Sequence, residues 1–150
     1  MTKRISLRKA LQVKKTLVGD IARISSLLAK HNAQRYPNKH INVQALYDEH
    51  VAKVNELIHL KTELAKANVG IYGTIILADE LKSGISFFEG LDTDEDGTEY
   101  IRGEAIRYTQ TVVIDYAQKN GIIKGMKEKL EAALEAIDEY NSSHYIDILG

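Results

Sequence analysis

Apolar residues recur along this chain at alternating spacings of three and four, and that rhythm divides it into helices. From Leu7 to His31 the spacing selects Leu7, Ala10, Lys14, Leu17, Ile21, Ile24, Leu28 and His31, with Leu11, Val18 and Leu27 widening the stripe. Such an alternation keeps side chains on one helical face, as in a coiled-coil seam. Lys14 intrudes on that seam, where a lysine either snorkels along its apolar stem or sets register. Ser6 stands where a helix N-cap is expected.

The stretch Asn32–His40 reads as a turn, because Pro37 disfavours helix at Tyr36 before it. Asn42 then caps a second helix over Val43–Ala67. Its seam runs Val43, Tyr47, His50, Val54, Leu57, Lys61 and Leu64, flanked by Leu46, Val51, Ile58 and Leu60. Two helices of this size extend about 38 Å each, and a short connection makes them antiparallel neighbours.

Asn68–Gly73 ends the second helix, with Gly70 suited to a left-handed C-terminal position. Thr74 is expected to cap a third helix reaching about Phe88. Gly90 to Gly97 reads as an acidic loop. Residues 106–114 are β-branched and partly alternating, which predicts a strand. A strand needs a partner for its backbone donors, and 71–76 is the best candidate within the chain, a neighbouring subunit being the other. Asp115 caps a last helix to about Asn141. There Tyr116, Ile123, Leu130 and Ile137 occupy one heptad position, and Lys119, Met126, Ala133 and Tyr140 the other.

The pattern therefore predicts a mainly α fold. It consists of about four antiparallel coiled-coil helices with a small β element near 71–76 and 106–114. We read 1–150 as a single helical domain. Three heptad seams in so small a chain leave apolar stripes to cover, so a homo-oligomer is expected.

Composition narrows the function. The chain of 150 residues has no Cys, which excludes a disulfide scaffold, a zinc–thiolate site and a cysteine nucleophile. No apolar run reaches the roughly 20 residues that span a bilayer, so no membrane partner is expected. The first nineteen residues carry six basic groups and no acid. They superficially resemble a mitochondrial presequence, but the pattern runs on into a helix. A cytoplasmic location is the default.

The formal net charge of −1 conceals an asymmetry. Residues 1–40 hold ten Lys or Arg against one acid, Asp20, a balance of +9, while residues 41–150 hold ten Lys or Arg against twenty acids, a balance of −10. A basic segment joined to an acidic one suits self-complementary packing or a local anion site. Long nucleic acid is not an expected partner, because the acidic remainder would repel it.

Motifs for catalysis are weak. Asp92-Thr93-Asp94-Glu95-Asp96-Gly97 opens like a calcium loop, yet Glu99 stands at the usual aliphatic position and Gly103 where a bidentate Glu is needed. Glu56-Leu57-Ile58-His59 matches one half of a di-iron motif, which requires a second Glu-x-x-His that the chain lacks. Neither phosphate-loop, dinucleotide nor nucleophile-elbow signatures occur. His50 falls on a helix seam and His144 near the end. No cofactor is implied, and a metal-dependent enzyme is the least favoured reading.

Two basic–aromatic groups remain, Arg35-Tyr36 with Lys39-His40 in the first turn, and Arg102 with Arg107-Tyr108 at the strand. Arginine offers a planar fork to phosphate, and tyrosine stacks on a base. A nucleotide-sized pocket between subunits would use both.

The order Ala78-Asp79-Glu80-Leu81-Lys82-Ser83-Gly84-Ile85, the acidic loop, Arg107-Tyr108-Thr109-Gln110-Thr111-Val112, and the helix end Ala136-Ile137-Asp138-Glu139-Tyr140-Asn141 resembles the septicolysin-like family of bacterial and phage proteins. The likeness spans about residues 5–147, by order of elements more than by identity. Where that family carries Trp after the Asn, this chain has Ser142. The resemblance implies an oligomeric helical protein, often phage-borne.

The expected function is then non-catalytic. It is a homo-oligomeric helical binding protein that captures a small anionic, nucleotide-like ligand at subunit interfaces. A phage protein sequestering a host immune messenger fits that description. The alternative is a structural or assembly coiled-coil protein.

Overall fold

The computed structural model describes residues 1–36 and 38–150. Pro37, on which the predicted turn rests, lies outside the described residues. The chain is mainly helical, as the apolar pattern predicts, and carries two small antiparallel strand pairs. It divides into two compact units, one of Met1–Tyr72 with Ile137–Gly150, the other of Gly73–Ala136.

The first unit is built from β1 (Thr2–Ser6), α1 (Leu7–His31), α2 (Val43–Ala67) and β4 (Tyr145–Leu149). Both helices have the predicted limits, and both caps act as expected. The Ser6 side chain accepts from the Lys9 backbone N–H at 3.2 Å, and Asn42 accepts from Ala45 at 3.0 Å. The helices run antiparallel, since the α2 partner's number falls as the α1 number rises. Lys53 meets Asp20 at 3.1 Å, and His50 meets Ser25 at 3.1 Å.

β1 and β4 were not expected. They pair antiparallel with Ile5 opposite Ile146 and Ser6 opposite Tyr145. The ribbon passes directly into α1, because the Leu7 N–H donates to the His144 carbonyl at 2.9 Å. Ile5 and Ile146 are buried in one cluster with Leu7, Ala10, Leu17, Leu60 and Leu64. Arg4 lies 5.7 Å from the centre of the Tyr145 ring, a cation–π contact.

The end of α2 departs from expectation. Gly70 does not adopt positive φ, and a short 3-10 turn covers Asn68–Gly70. A side chain at Gly70 would displace the end of another. The Tyr140 hydroxyl lies 2.7 Å from where a Cβ would stand. That hydroxyl donates to the Ala67 carbonyl at 2.7 Å, which satisfies an acceptor that a helix end leaves free.

The second unit contains α3 (Tyr72–Glu89, beginning at the boundary), β2 (Asp96–Ile101), β3 (Glu104–Thr109) and α4 (Tyr116–Ser143), whose residues from Ile137 belong to the first unit. Residues 72–76 are helical, so the predicted strand at 71–76 is corrected. The β-branched run is overridden by helix-spaced Ala78, Leu81 and Ile85, which are buried. The strand predicted over 106–114 is β3, ending at Thr109. Its partner is β2, which starts in the last two residues of the acidic loop and runs on through 98–101, where the apolar pattern predicts no element, with Thr98 opposite Arg107 and Ile101 opposite Glu104.

Arg102 and Gly103 form the two-residue turn, both at positive φ (51° and 83°). This is the backbone that matches strand twist in a tight hairpin. Asp115 caps α4 reciprocally, its carboxylate accepting from the Gln118 N–H at 2.8 Å while Gln118 accepts from the Asp115 N–H at 3.0 Å. α3 and α4 run antiparallel. Lys119 reaches the Glu89 and Leu91 carbonyls, and Met126 lies where a side chain on Gly84 would be.

Replacing Ile146 by Ala removes a buried branch of the first core and lowers stability by about 2–5 kcal/mol. Tyr140→Phe keeps the ring over Gly70 and removes only the hydroxyl, costing about 1 kcal/mol. Urea denaturation followed by circular dichroism measures both. A loss for Ile146→Ala no larger than for Tyr140→Phe would show that the ribbon is peripheral.

Candidate functional site

The structure gathers the two basic–aromatic groups in different units. In the first turn, the backbone is organised by amide side chains. Gln34 donates to the His31 carbonyl and accepts from the Asn38 N–H at 2.8 Å, and Asn38 accepts from the His40 N–H at 3.0 Å. Arg35, Tyr36, Lys39 and His40 are left exposed. Arg35 stacks on Tyr36 at 5.9 Å from the ring centre. Only His40 of the four lines the adjacent cavity of about 320 Å³, which also touches Leu27, Leu46 and Glu49.

The hairpin holds the other group. An open cavity of about 790 Å³ is lined by Asp96, Gly97, Thr98, Arg107, Tyr108 and Thr109. Register puts Arg107 on one face with Asp96, Thr98 and Thr109, and Tyr108 on the other, since neighbours along a strand alternate. The Tyr108 ring lies directly over Gly97, where a Cβ would collide with it. Arg102 is at the hairpin tip, several residue pairs from the cavity at the open end. It is therefore not brought into the groove with Arg107. Its positive φ carries a backbone cost of about 1–2 kcal/mol for a non-glycine residue.

Among the described residues neither Arg107 nor Arg102 forms an ion pair or a side-chain hydrogen bond. The Arg107 guanidinium thus stands with its donors free beside two threonine hydroxyls.

The root of the hairpin is clamped by residues that carried no motif. Gln110 Nε2 donates to the Asp92 carboxylate at 2.9 Å and to the Asp94 carbonyl at 2.6 Å, while its backbone N–H donates to Glu95 at 2.7 Å. Asp92 also accepts from the Asp94 N–H at 2.9 Å. These donors, the Asp94 N–H first and Gln110 second, hold the Asp92 carboxyl below its ordinary pKa. Lys119 joins the clamp from α4, donating to the Glu89 and Leu91 carbonyls at 3.0 and 2.9 Å. A lysine at the end of α3 also suits the helix dipole. The oxygens that open the calcium-like sequence are thus spent on the turn itself. Among the described residues no group of three or more His, Asp or Glu converges as a metal ligand set.

The remaining histidines have structural settings. His50 is half-buried against Ser25, and His144 stacks on Tyr140 with ring centres 3.6 Å apart. His59, from the Glu-x-x-His match, keeps a buried Nε2 without a hydrogen-bond partner. Among the described residues no helix is long and apolar enough to cross a membrane. No protein-family model, curated protein or solved structure matches the chain.

The depressed Asp92 pKa makes a signed prediction. The clamp's stabilisation is present above the unfolded carboxylate pKa and is lost as pH falls through the lower folded value. Gln110→Ala removes one donor and raises the Asp92 pKa toward the ordinary carboxylate range. Carboxyl-carbon NMR titration of both proteins measures this, and identical Asp92 curves would reject the Gln110 clamp.

Proposed function

We propose that this chain is a non-catalytic, homo-oligomeric binding protein, and that its hairpin groove takes a small anionic, nucleotide-like ligand. The observation that carries this reading is the free Arg107 guanidinium in the 790 Å³ cavity, beside the hydroxyls of Thr98 and Thr109. A guanidinium with its fork unspent is suited to two phosphate oxygens, and threonine hydroxyls supply further donors. Tyr108, on the opposite face, offers an apolar ring at the groove edge. Asp96 lines the same groove and selects against an anion that spreads over its whole length. The ligand is thus small, with its charge concentrated at Arg107.

Capture rather than turnover is supported by the surroundings. Asp92, the carboxylate at the hairpin root, accepts from the Asp94 N–H and Gln110, which lower its pKa and commit it to the turn rather than to the groove. We place the protein in the cytoplasm. Its septicolysin-like resemblance and a phage role in sequestering a nucleotide messenger belong to the same reading.

A second reading, a structural or assembly protein, is favoured by a different observation. Tyr47, Ile58, Val69 and Tyr72 on or just after α2 are all largely exposed.

Thermal-shift and calorimetric titration against mononucleotides, dinucleotides and cyclic nucleotides separates the two. A bound nucleotide at a hundredfold excess over its Kd stabilises by about 2.7 kcal/mol. Arg107→Ala is expected to abolish that shift, and Thr98→Val to reduce it. Arg102→Asn tolerates positive φ and should leave it intact. No shift with any nucleotide rejects the capture reading and leaves assembly.

A further inference from the structure

Helix α2 carries two apolar faces, and only one is used inside the protomer. The inner face presents Leu57, Leu60 and Leu64 to the core of the first unit. The outer face presents Tyr47 (54% exposed), Val51 (39%), Ile58 (57%) and Ala65, and continues past the helix end to Val69 (78%) and Tyr72 (61%). Positions 51, 58 and 65 recur every seven residues along α2, with 47 one turn before 51, which is the period of a helix–helix seam; Val69 and Tyr72 follow beyond the helix end. At its C-terminal end Ala65, Asn68, Val69 and Tyr72 line a cavity of about 300 Å³.

The exposed area is large enough for a partner to cover such a face. The chain exposes 11120 Å². Two compact monomeric units of 86 and 64 residues would expose about 9,200 Å² together, even with no contact between them. The excess of about 1,900 Å² exceeds the roughly 800 Å² that each partner contributes to a standard interface.

Charge identifies the partner and its direction. Asp48 and Lys66 flank the seam, both exposed, and eighteen residues separate them. Eighteen residues are five full turns, so both lie on the same side of the stripe, the acid at one end and the base at the other. When two such helices pair antiparallel, like flanks meet, and with the axis at Ile58 the Asp48 of each copy falls opposite residue 68 of the other, about 3 Å along the helix from Lys66, which also pairs with Glu63 of its own helix at 2.8 Å. Parallel pairing would waste this match. A two-fold axis at Ile58 sets Val51 of one copy against Ala65 of the other.

We infer that the outer face of α2 is the self-association surface, and that it pairs antiparallel with the same face of a second copy about a two-fold axis at Ile58. This deepens the homo-oligomeric part of the proposed function and does not depend on the ligand. The seam needs no rearrangement of either core, because its residues are already outside the inner cluster. It also explains why an aromatic residue stands at each end, Tyr47 and Tyr72, where large side chains close the rim of an interface.

The lack of Cys in the chain gives a direct test. Ile58→Cys in the full chain is expected to form a covalent dimer on mild oxidation. Val51→Cys and Ala65→Cys are expected to crosslink only when mixed, since antiparallel pairing places 51 against 65. Ile58→Lys, at an exposed position, should keep its circular dichroism and raise the dissociation constant of self-association roughly tenfold or more by sedimentation. Self-crosslinking of Val51→Cys alone would overturn the antiparallel pairing. An oligomeric wild type with no Ile58→Cys dimer and no Ile58→Lys effect overturns this face but not the homo-oligomer. A wild type monomeric at 100-micromolar-scale concentration overturns both, and nucleotide binding then decides the remaining part of the proposed function separately.

Discussion

The antiparallel ribbon of β1 and β4 is the constraint on which the first unit depends. A two-stranded ribbon is marginal by itself in water, so it persists only because Ile5 and Ile146 face each other in register and enter the core with Leu7, Leu60 and Leu64. The same pairing fixes where α1 begins and α4 ends, since the Leu7 N–H is held by the His144 carbonyl. One turn before that end, Tyr140 closes the C-terminus of α2, and its hydroxyl lies where a side chain at Gly70 would begin. Ribbon, core and helix ends therefore form together, and none of them is a local structure.

That dependence explains what could be read from the sequence. The limits of α1 and α2 were legible because their signals are local. Ser6 and Asn42 make their caps within three residues, and the apolar spacing needs no distant partner. β1 was not legible, because Thr-Lys-Arg-Ile-Ser offers a single apolar side chain and its partner lies at the other end of the chain. The run from Ile71 to Ile76 misled for the opposite reason. Its β-branched content is a local preference, and the buried Ala78, Leu81 and Ile85 carry the helix back through it. β2 gave no alternation to detect, since nearly all of the hairpin is exposed on both faces.

The candidate site was legible in its residues but not in its grouping. Arg107 and Tyr108 both line one open cavity of the hairpin. The strand nevertheless sends them to opposite faces, and the turn takes Arg102 to the tip. The clamp that holds the hairpin root was invisible, because Gln110 and Lys119 act through backbone carbonyls whose positions exist only in the fold. The acidic sequence that opens like a calcium loop and then departs from it is a turn whose Asp92 carboxylate accepts hydrogen bonds from within the turn and from Gln110.

The opposed charge halves also take on a different meaning. Of the ten basic side chains in residues 1–40, Arg8 and Arg23 form ion pairs among the described residues, with Asp138 and Glu49. All four side chains are substantially exposed, and such pairs contribute at most about 1 kcal/mol each. Internal pairing therefore accounts for little of the +9. Exposed charge is better at choosing a partner's direction than at holding it. In the α2 pairing we propose those tasks are divided, Tyr47, Ile58 and Val69 being the exposed apolar area that would leave water and Asp48 and Lys66 the charges that would disfavour the parallel arrangement. A face built in this way gains its affinity from burial, so screening by salt would loosen its selectivity before its strength.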